Sequence, residues 1–228
     1  MNLLVIDTAT EACSVALEVD GTVFSRFEIC PQQHSQRLLP MVDEVLKEAN
    51  IKLSNLDCLG FGQGPGSFTG VRIATGMIQG FALGSALPVV GISTLAAMAQ
   101  QAILDKDAAE VSCAIDARIG EVYFARYVKN NNVAMLFAKE QVLAPEVAAE
   151  LLLSGNKASG VGTGWQAYPE LNTAGRVDVT ADILYPNALY MLPLLKHAIA
   201  NGEAKDIEQI KPVYLRDKVT WKKLPGRN

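Results

Sequence analysis

The chain has 228 residues, a formal net charge of −4 and 50% apolar residues. This composition predicts a globular protein with a substantial core and excludes an intrinsically disordered chain. The negative net charge also excludes a surface that binds nucleic acid over its whole extent. Basic residues are concentrated at one end, since residues 211–228 contain six of them and one acidic residue.

The first segments of the chain predict a hairpin-rich sheet followed by a helix. Three apolar segments are typical of strands: 3–6, 13–19 and 22–29. The Asp20-Gly21 pair predicts a tight hairpin between the last two of them. Ser35 is a candidate cap for the helix that follows. The apolar side of this helix is formed by Leu38, Leu39, Val42, Val45, Leu46 and Ala49.

A glycine-rich segment, Gly64 to Gly70, joins an apolar strand at 58–62 to a long apolar helix. Its glycines permit positive φ and close backbone approach, and Ser67 or Thr69 can cap the helix. The N–H groups of such a helix end can bind a phosphate or a carboxylate. The segment matches neither the Walker A nor the Rossmann motif. A tight turn that binds nothing explains the pattern equally well.

The glycine-rich turn opens a helix with small residues on one side. Gly76, Gly80 and Gly84 are spaced by four, so another backbone could approach this side closely. Residues 88–91 predict the next strand, and Ser93 can cap a helix that ends near Leu104. The charged, alanine-rich segment that follows marks a composition shift.

The second half of the chain repeats the pattern of the first. A strand at 111–115 ends at Asp116, as the strand at 3–6 ends at Asp7, and each Asp precedes a turn and two further strands. A repeat of half the chain predicts two similar lobes. We place them at 1–104 and 111–228, with a linker at 105–110 and a helix at 187–200 that packs back between the lobes. Two lobes, each with a mixed sheet that begins with a strand, an Asp and a turn, are typical of the actin-like (ASKHA, ribonuclease H-like) α/β fold.

The residues support little hydrolytic chemistry. The chain has two histidines, His34 and His197, no G-x-S-x-G elbow and no H-E-x-x-H motif. Asp7 and Asp116 could each hold a phosphate-bound magnesium ion at a strand end, although an Asp that caps a turn fits equally. The candidate residues for a nucleotide or phosphate site are Asp7, Thr8, Gly64, Gly66, Ser67, Thr69 and Asp116.

The cysteines and the apolar segments bear on the cellular compartment. Four scattered cysteines without a C-x-x-C pair are typical of reduced, buried thiols. The first residues lack the basic segment and cleavage site of a signal peptide. The longest apolar run, 71–92, is interrupted by Arg72, Gln79 and Pro88, which does not suit a membrane span. We therefore expect a cytoplasmic protein without membrane contact.

Four segments resemble those of the bacterial TsaB (YeaZ) family: Asp7–Thr10, His34–Pro40, Gly64–Arg72 and Pro212–Asp217. The resemblance covers nearly the whole chain. It implies the two-lobe actin-like fold and a role in making threonylcarbamoyladenosine in tRNA. In that pathway TsaC makes threonylcarbamoyl-AMP, and the paralogue TsaD, with TsaB and the ATPase TsaE, transfers the group to the adenosine.

The chain departs from TsaD at the metal site. TsaD has an H-x-x-x-H motif that binds iron or zinc, and here Thr94 and Met98 stand at about those positions. Neither side chain replaces an imidazole ligand. The resemblance therefore implies a pseudoenzyme subunit without a metal, which activates TsaD and recruits TsaE. It implies no firmly bound cofactor, with ATP or ADP expected only at an interface of the complex.

We expect the partner surface on the two apolar helices, and a homodimer through the same surface when the partner is absent. Its candidate residues are His34, Leu38, Leu39, Val42, Phe68, Val71, Arg72, Thr75, Gly76 and Gly80. The alternative is that these residues face their own sheet, because the sequence does not separate the two faces of each helix. The candidate tRNA contacts lie in the basic tail: Lys218, Trp221, Lys222 and Lys223.

Two other functions compete with the subunit role. The first is an actin-like phosphotransferase or ATPase that acts on a small molecule through Asp7, Asp116 and the glycine-rich turn. The turn Thr8-Ala9-Thr10 disfavours it, because phosphate loops of that kind commonly contain glycine. The second is a protease, which the missing nucleophile and metal ligands disfavour.

Overall fold

The computed structural model describes residues 1–152 and 158–216. They form two mixed sheets with helices packed on them. No helix within these two ranges is long and apolar enough to cross a membrane. All four cysteines are buried free thiols, as predicted.

The first sheet is built from the first five strands: β1 (Leu3–Asp7), β2 (Ala12–Val19), β3 (Thr22–Ile29), β4 (Cys58–Gly64) and β5 (Val89–Ser93). They lie in the order β3-β2-β1-β4-β5. β2 is antiparallel to both β1 and β3, whereas β4 is parallel to β1 and to β5. The hairpin predicted at Asp20-Gly21 joins β2 to β3, and both residues have positive φ.

The second sheet is built from six strands: β6 (Glu110–Arg118), β7 (Glu121–Asn130), β8 (Val133–Leu136), β9 (Gln141–Leu143), β10 (Ala158–Val161) and β11 (Val177–Val179). Its order, β8-β7-β6-β10-β11 with β9 also paired to β7, repeats the order of the first sheet. The antiparallel and parallel relations are repeated too. This topology agrees with the predicted duplication and with the two-lobe actin-like fold.

The described residues contain six α-helices: α1 (His34–Glu48), α2 (Phe68–Ser85), α3 (Thr94–Lys106), α4 (Pro145–Glu150), α5 (Gly164–Ala167) and α6 (Ala188–Ala200). Side chains of β1 alternate between two cores. Leu4 and Ile6 belong to the core formed with α1 and α2. Leu3 and Val5 belong to the core formed with α3, α6 and the second sheet. The two sheets are therefore joined through a shared core around α3 and α6.

Three of the predicted helix caps can be compared with the structure. Ser67 caps α2 by accepting a hydrogen bond from the Gly70 N–H, and Ser93 caps α3 in the same way, as predicted. The predicted cap at Ser35 is wrong. Helix α1 begins one residue earlier, at His34, and its cap position, Gln33, makes no side-chain hydrogen bond.

The segment that follows the second sheet also contacts the first half of the fold. The N–H of Ala188, at the start of α6, donates to Ser14 Oγ in the first sheet at 2.9 Å. Lys205 forms an antiparallel bridge with Val89, and Ile210 is buried in the core of α1 and α2. The described segment from α6 to Ile210 thus packs on the first half of the fold as well as on the second. The expectation for the helix at 187–200 included such a return, whereas the contacts of Lys205 and Ile210 depend on long-range packing that local composition does not show.

Candidate functional site

The turn between β1 and β2 fits directly against the first turn of α2. The Ser67 N–H donates to the Ala9 carbonyl at 2.7 Å, and the Thr8 hydroxyl donates to the Gly70 carbonyl at 2.7 Å. A Cβ atom at Gly66 would lie 2.2 Å from the Ala9 carbonyl oxygen, and one at Gly70 would lie 2.0 Å from that of Thr8. The two glycines are therefore required by close packing rather than by a ligand.

Asp7 is fully buried beneath this turn. Its Oδ1 accepts a hydrogen bond from the Ala9 N–H at 3.2 Å, whereas Oδ2 has no partner within the described residues. Burial raises the pKa of Asp7 to about 8, and the Ala9 hydrogen bond only partly opposes it. The carboxyl is therefore mostly protonated at neutral pH.

These contacts contradict the predicted role of Asp7 and Thr8 in a phosphate site. Neither residue has accessible surface. The Thr8 hydroxyl bonds to Gly70, and the Asp7 carboxyl accepts from Ala9 of its own turn. Gly64 is also buried, since a Cβ atom there would lie 2.7 Å from the Val213 carbonyl oxygen. Asp7, Thr8 and Gly64 are thus enclosed by the packing of the turn, whereas Thr69 is exposed on α2.

A cleft of about 540 Å³ lies between the two halves of the fold. Three of the predicted phosphate-site residues line it: Gly66, Ser67 and Asp116. Arg118 crosses this cleft. Its guanidinium pairs with Glu11 of the first half at 3.0 Å and with Asp116 at 3.0 Å. Asp116 also accepts a hydrogen bond from the Tyr168 hydroxyl at 2.9 Å. The charged groups of the cleft are therefore largely paired with one another.

The positions that the resemblance assigned to metal ligands contain no ligand. Thr94 is fully buried and its hydroxyl donates to the Pro65 carbonyl at 2.5 Å. Met98 is fully buried in the shared core. Across 1–152 and 158–216, no group of three or more His, Cys, Asp or Glu side chains could hold a metal ion.

Half of the predicted partner surface is buried in the chain's own core. The five buried residues are His34, Leu38, Val42, Val71 and Thr75. Leu38 and Val42 pack on the first sheet, and Thr75 donates to the Val71 carbonyl within α2. Leu38, Val42, Val71 and Thr75 have almost no accessible surface, so they do not line a surface for a partner. His34 lies at the cleft between the two halves of the fold. His34 keeps an Nε2 atom without a partner in the described part of the chain.

The other predicted interface residues are exposed. Leu39 on α1 and Phe68 on α2 expose 51% and 58% of their surface. Arg72, Gly76 and Gly80 are exposed along α2, and a Cβ atom at either glycine would meet no atom within 4 Å. The outer side of α2 is thus an open helix face. We call the set Phe68, Arg72, Gly76 and Gly80 the α2 face.

Tyr214, which was not among the predicted interface residues, lies beside the α2 face. The ring centroids of Phe68 and Tyr214 are 5.6 Å apart, and the Arg72 guanidinium carbon lies 3.3 Å from the Phe68 centroid. Tyr214 is held beside α2 because the Val213 N–H donates to the Gln63 carbonyl at 2.8 Å. Tyr214 belongs to the Pro212–Asp217 segment that resembles the TsaB family. That resemblance was the one feature of the sequence that pointed to this residue.

The same C-terminal segment also reaches the second half of the fold. The Arg216 guanidinium pairs with Glu121 and donates to the Arg118 carbonyl at 3.3 Å. The predicted tRNA contacts lie beyond this residue and outside the described residues: Lys218, Trp221, Lys222 and Lys223.

The repeated sheet order defines the chain as a two-lobe actin-like α/β protein. Residues 27–223 match the family described as "TsaD: tRNA N6-adenosine threonylcarbamoyltransferase". Within this class, the chain belongs to the TsaB (YeaZ) family. The resemblance noted in the sequence is thereby confirmed.

The similarity extends over the whole chain. It is 49% identical to the tRNA threonylcarbamoyladenosine biosynthesis protein TsaB of Escherichia coli (strain K12), with 100% of both chains covered. It is 45% identical to the protein of that name from Haemophilus influenzae, with 100% of this chain and 98% of that one covered. The structure of YeaZ from Pseudomonas aeruginosa matches with a TM-score of 0.85 and 42% identity, over 94% of this chain and 99% of that one.

Proposed function

We propose that this chain is a non-catalytic subunit for the biosynthesis of threonylcarbamoyladenosine in tRNA. It activates a TsaD-type transferase and recruits a TsaE-type ATPase in the cytoplasm. The names of relatives that are 49% and 45% identical over the full chain support the pathway. The observation that carries the non-catalytic role is Thr94, which is buried and committed to the Pro65 carbonyl where the resemblance places a metal ligand in the transferase.

The geometry disfavours the competing ATPase function. A phosphate-bound magnesium ion requires an accessible, ionised carboxylate. Asp7 is fully buried, and burial raises its pKa to about 8. Two N–H groups at the start of α2 are also unavailable to a phosphate. The Ser67 N–H donates to the Ala9 carbonyl, and the Gly70 N–H donates to Ser67 Oγ. We therefore assign ATP or ADP to an interface of the complex rather than to a site within this chain.

The α2 face supports the partner role. Helices approach most closely where small residues face each other, so Gly76 and Gly80 permit tight packing of a partner helix. Phe68 and, on the neighbouring helix α1, Leu39 offer exposed apolar surface around them. We propose that the transferase binds here, and that the chain forms a homodimer through the same face when the transferase is absent. The tail beyond Arg216 supplies the proposed tRNA contact.

The test is reconstitution of threonylcarbamoyl transfer to tRNA with purified TsaC, TsaD and TsaE, with and without this chain. We expect transfer to require the chain. Leu39→Glu should abolish both transfer and co-elution with TsaD, because it places a charge on the partner surface. Leu104→Glu is the matched control, since Leu104 is 45% exposed on α3. Val71, also a predicted interface residue, is not used for such a substitution, because it is buried and a charge there would destabilise the fold.

Transfer that proceeds equally well without the chain would contradict the proposal. ATP turnover by the isolated chain would then favour the actin-like ATPase function. Loss of activity in both Leu39→Glu and Leu104→Glu would show that the effect of the charge is not specific to the partner surface.

A further inference from the structure

Arg72 differs from most other arginines that the structure describes. Five of them form ion pairs with carboxylates: Arg26, Arg37, Arg118, Arg126 and Arg216. Arg72 has no ion pair and no hydrogen bond to any described residue, although it is exposed on α2. It is also the only charged residue in α2. Its charge is therefore available to a group outside the chain.

Two aromatic rings hold the Arg72 side chain in place. Its guanidinium carbon lies 3.3 Å from the centroid of Phe68 and 5.6 Å from that of Tyr214. A guanidinium that stacks on a ring face keeps its N–H donors at its edge, in the fork that matches a carboxylate. Tyr214 is itself anchored through the hydrogen bond of its neighbour Val213 to Gln63. Much of the entropy cost of ordering the side chain is thus already met before a partner binds.

We propose that Arg72, stacked on the ring of Phe68 and flanked by Tyr214, is the central anchor of the partner surface and binds a carboxylate of the transferase as a bidentate pair. The inference rests on the proposed function, because the transferase is its occupant. Phe68 and Tyr214 remain 58% and 40% exposed, so a partner that covers them also excludes water from the ion pair. Arginine and aromatic side chains that become fully desolvated are the typical hot spots of protein interfaces.

The surroundings of Arg72 favour a protein carboxylate over a nucleic acid phosphate. Nucleic acid binding needs several cations along the backbone path. The exposed residues that neighbour Arg72 on α2 are uncharged: Thr69, Gly76, Gln79 and Gly80. Two further arginines, Arg118 and Arg216, line the cleft beside Phe68 and Tyr214, but both are paired with carboxylates of the chain. Among these described arginines Arg72 alone is unpaired, so it matches a single carboxylate of a partner rather than a row of phosphates. The occupant is therefore a protein with an Asp or Glu at the centre of its contact surface.

The experiment measures the affinity of the full chain for the TsaD protein of the same organism by titration calorimetry. Arg72→Gln should weaken the Kd by at least about tenfold, and Arg72→Lys by nearly as much, because lysine keeps the charge but loses the planar fork. Tyr214→Ala should weaken it by about three- to tenfold without any change in α2. Lys47→Gln is the control, since Lys47 is an exposed cation at the far end of α1, and its Kd should stay within about twofold.

Salt and partner variants identify the carboxylate. The wild-type Kd should rise with sodium chloride more steeply than that of Arg72→Gln, because one ion pair is lost in the variant. A scan of Asp→Asn and Glu→Gln changes on TsaD should find one variant whose effect disappears in the Arg72→Gln background.

Each contrary result has a distinct meaning. If the wild type and Arg72→Gln bind TsaD equally well, the inference is overturned and the proposed function stands. If Arg72→Lys matches the wild type, the bidentate pair is overturned. If Arg72→Gln lowers the affinity for tRNA but not for TsaD, the occupant is a phosphate and the inference is overturned. If the wild type does not bind TsaD at all, the inference and the proposed function fail together.

Discussion

The hydroxyl of Thr94 donates a hydrogen bond to the carbonyl of Pro65, 29 residues earlier in the chain. This contact ties the first residue of α3 to the turn that starts α2, and Thr94 is fully buried there. A position that the resemblance assigns to a metal ligand in the transferase thus serves here to fix two helices relative to each other.

Removal of this hydroxyl should destabilise the fold. Thr94→Val keeps the shape of the side chain but leaves the Pro65 carbonyl without its donor, so we expect the free energy of unfolding to fall by about 1–3 kcal/mol. Urea denaturation measures it. Thr69→Val is the control, because Thr69 is exposed near the start of α2 as Thr94 is buried at the start of α3, and we expect a change within about 0.5 kcal/mol. Equal stability of the two variants would contradict the structural role of Thr94.

The glycines of the turn and of the helix should respond in opposite ways to alanine. Gly66→Ala would place a Cβ atom 2.2 Å from the Ala9 carbonyl oxygen, so we expect it to lower the free energy of unfolding by about 2–3 kcal/mol. Gly76→Ala meets no atom within 4 Å and should raise it by about 0.5–1 kcal/mol, because alanine favours the helix. Urea denaturation compares them, and a stabilising effect of both variants would show that the turn is not tightly packed.

The buried carboxyl of Asp7 should make stability depend on pH. Its pKa is about 8 in the folded chain, against 3.8 as the ordinary value. Between about pH 4 and pH 8 the unfolded chain has lost this proton while the folded chain retains it. The group therefore lowers stability as pH rises through this window, with a slope of up to about 1.4 kcal/mol per pH unit.

Asp7→Asn tests this linkage, because an amide keeps the shape and cannot titrate. We expect the free energy of unfolding of the wild type, minus that of Asp7→Asn, to decrease from about pH 4.5 to about pH 8, the window between the two pKa values. Urea denaturation at each pH measures both. A difference that stays constant over this range would mean that Asp7 has the same pKa in the folded and unfolded chains.

The size of the side chain at position 76 should control association without affecting the fold. Gly76→Leu projects into open space from the α2 face, so the monomer should melt at the same temperature as Gly76→Ala within about 2 °C. Gly76→Leu should prevent both co-elution with TsaD and self-association, since a partner helix can no longer approach closely. Size-exclusion chromatography with light scattering measures both. Unchanged association of Gly76→Leu would place the interface elsewhere.

The sequence by itself determined the architecture of this protein. The continuous apolar run of β1, the Asp20-Gly21 hairpin and the caps at Ser67 and Ser93 are local signals, and they are present in the structure. The duplicated strand–Asp–turn pattern predicted the repeated sheet order, because the same local pattern specifies the same topology.

Only the tertiary structure decided which groups are available for function. Leu38 and Leu39 are adjacent and equally apolar, yet one is fully buried and the other is half exposed, because the sheet covers only one side of α1. The sequence left Asp7 equally able to hold a magnesium ion or to cap its turn, and in the structure it is buried and accepts a hydrogen bond from Ala9 in that turn. Tyr214 meets Arg72 only because the C-terminal segment returns across α2. Each of these outcomes depends on contacts between segments far apart in the chain, which local patterns do not encode.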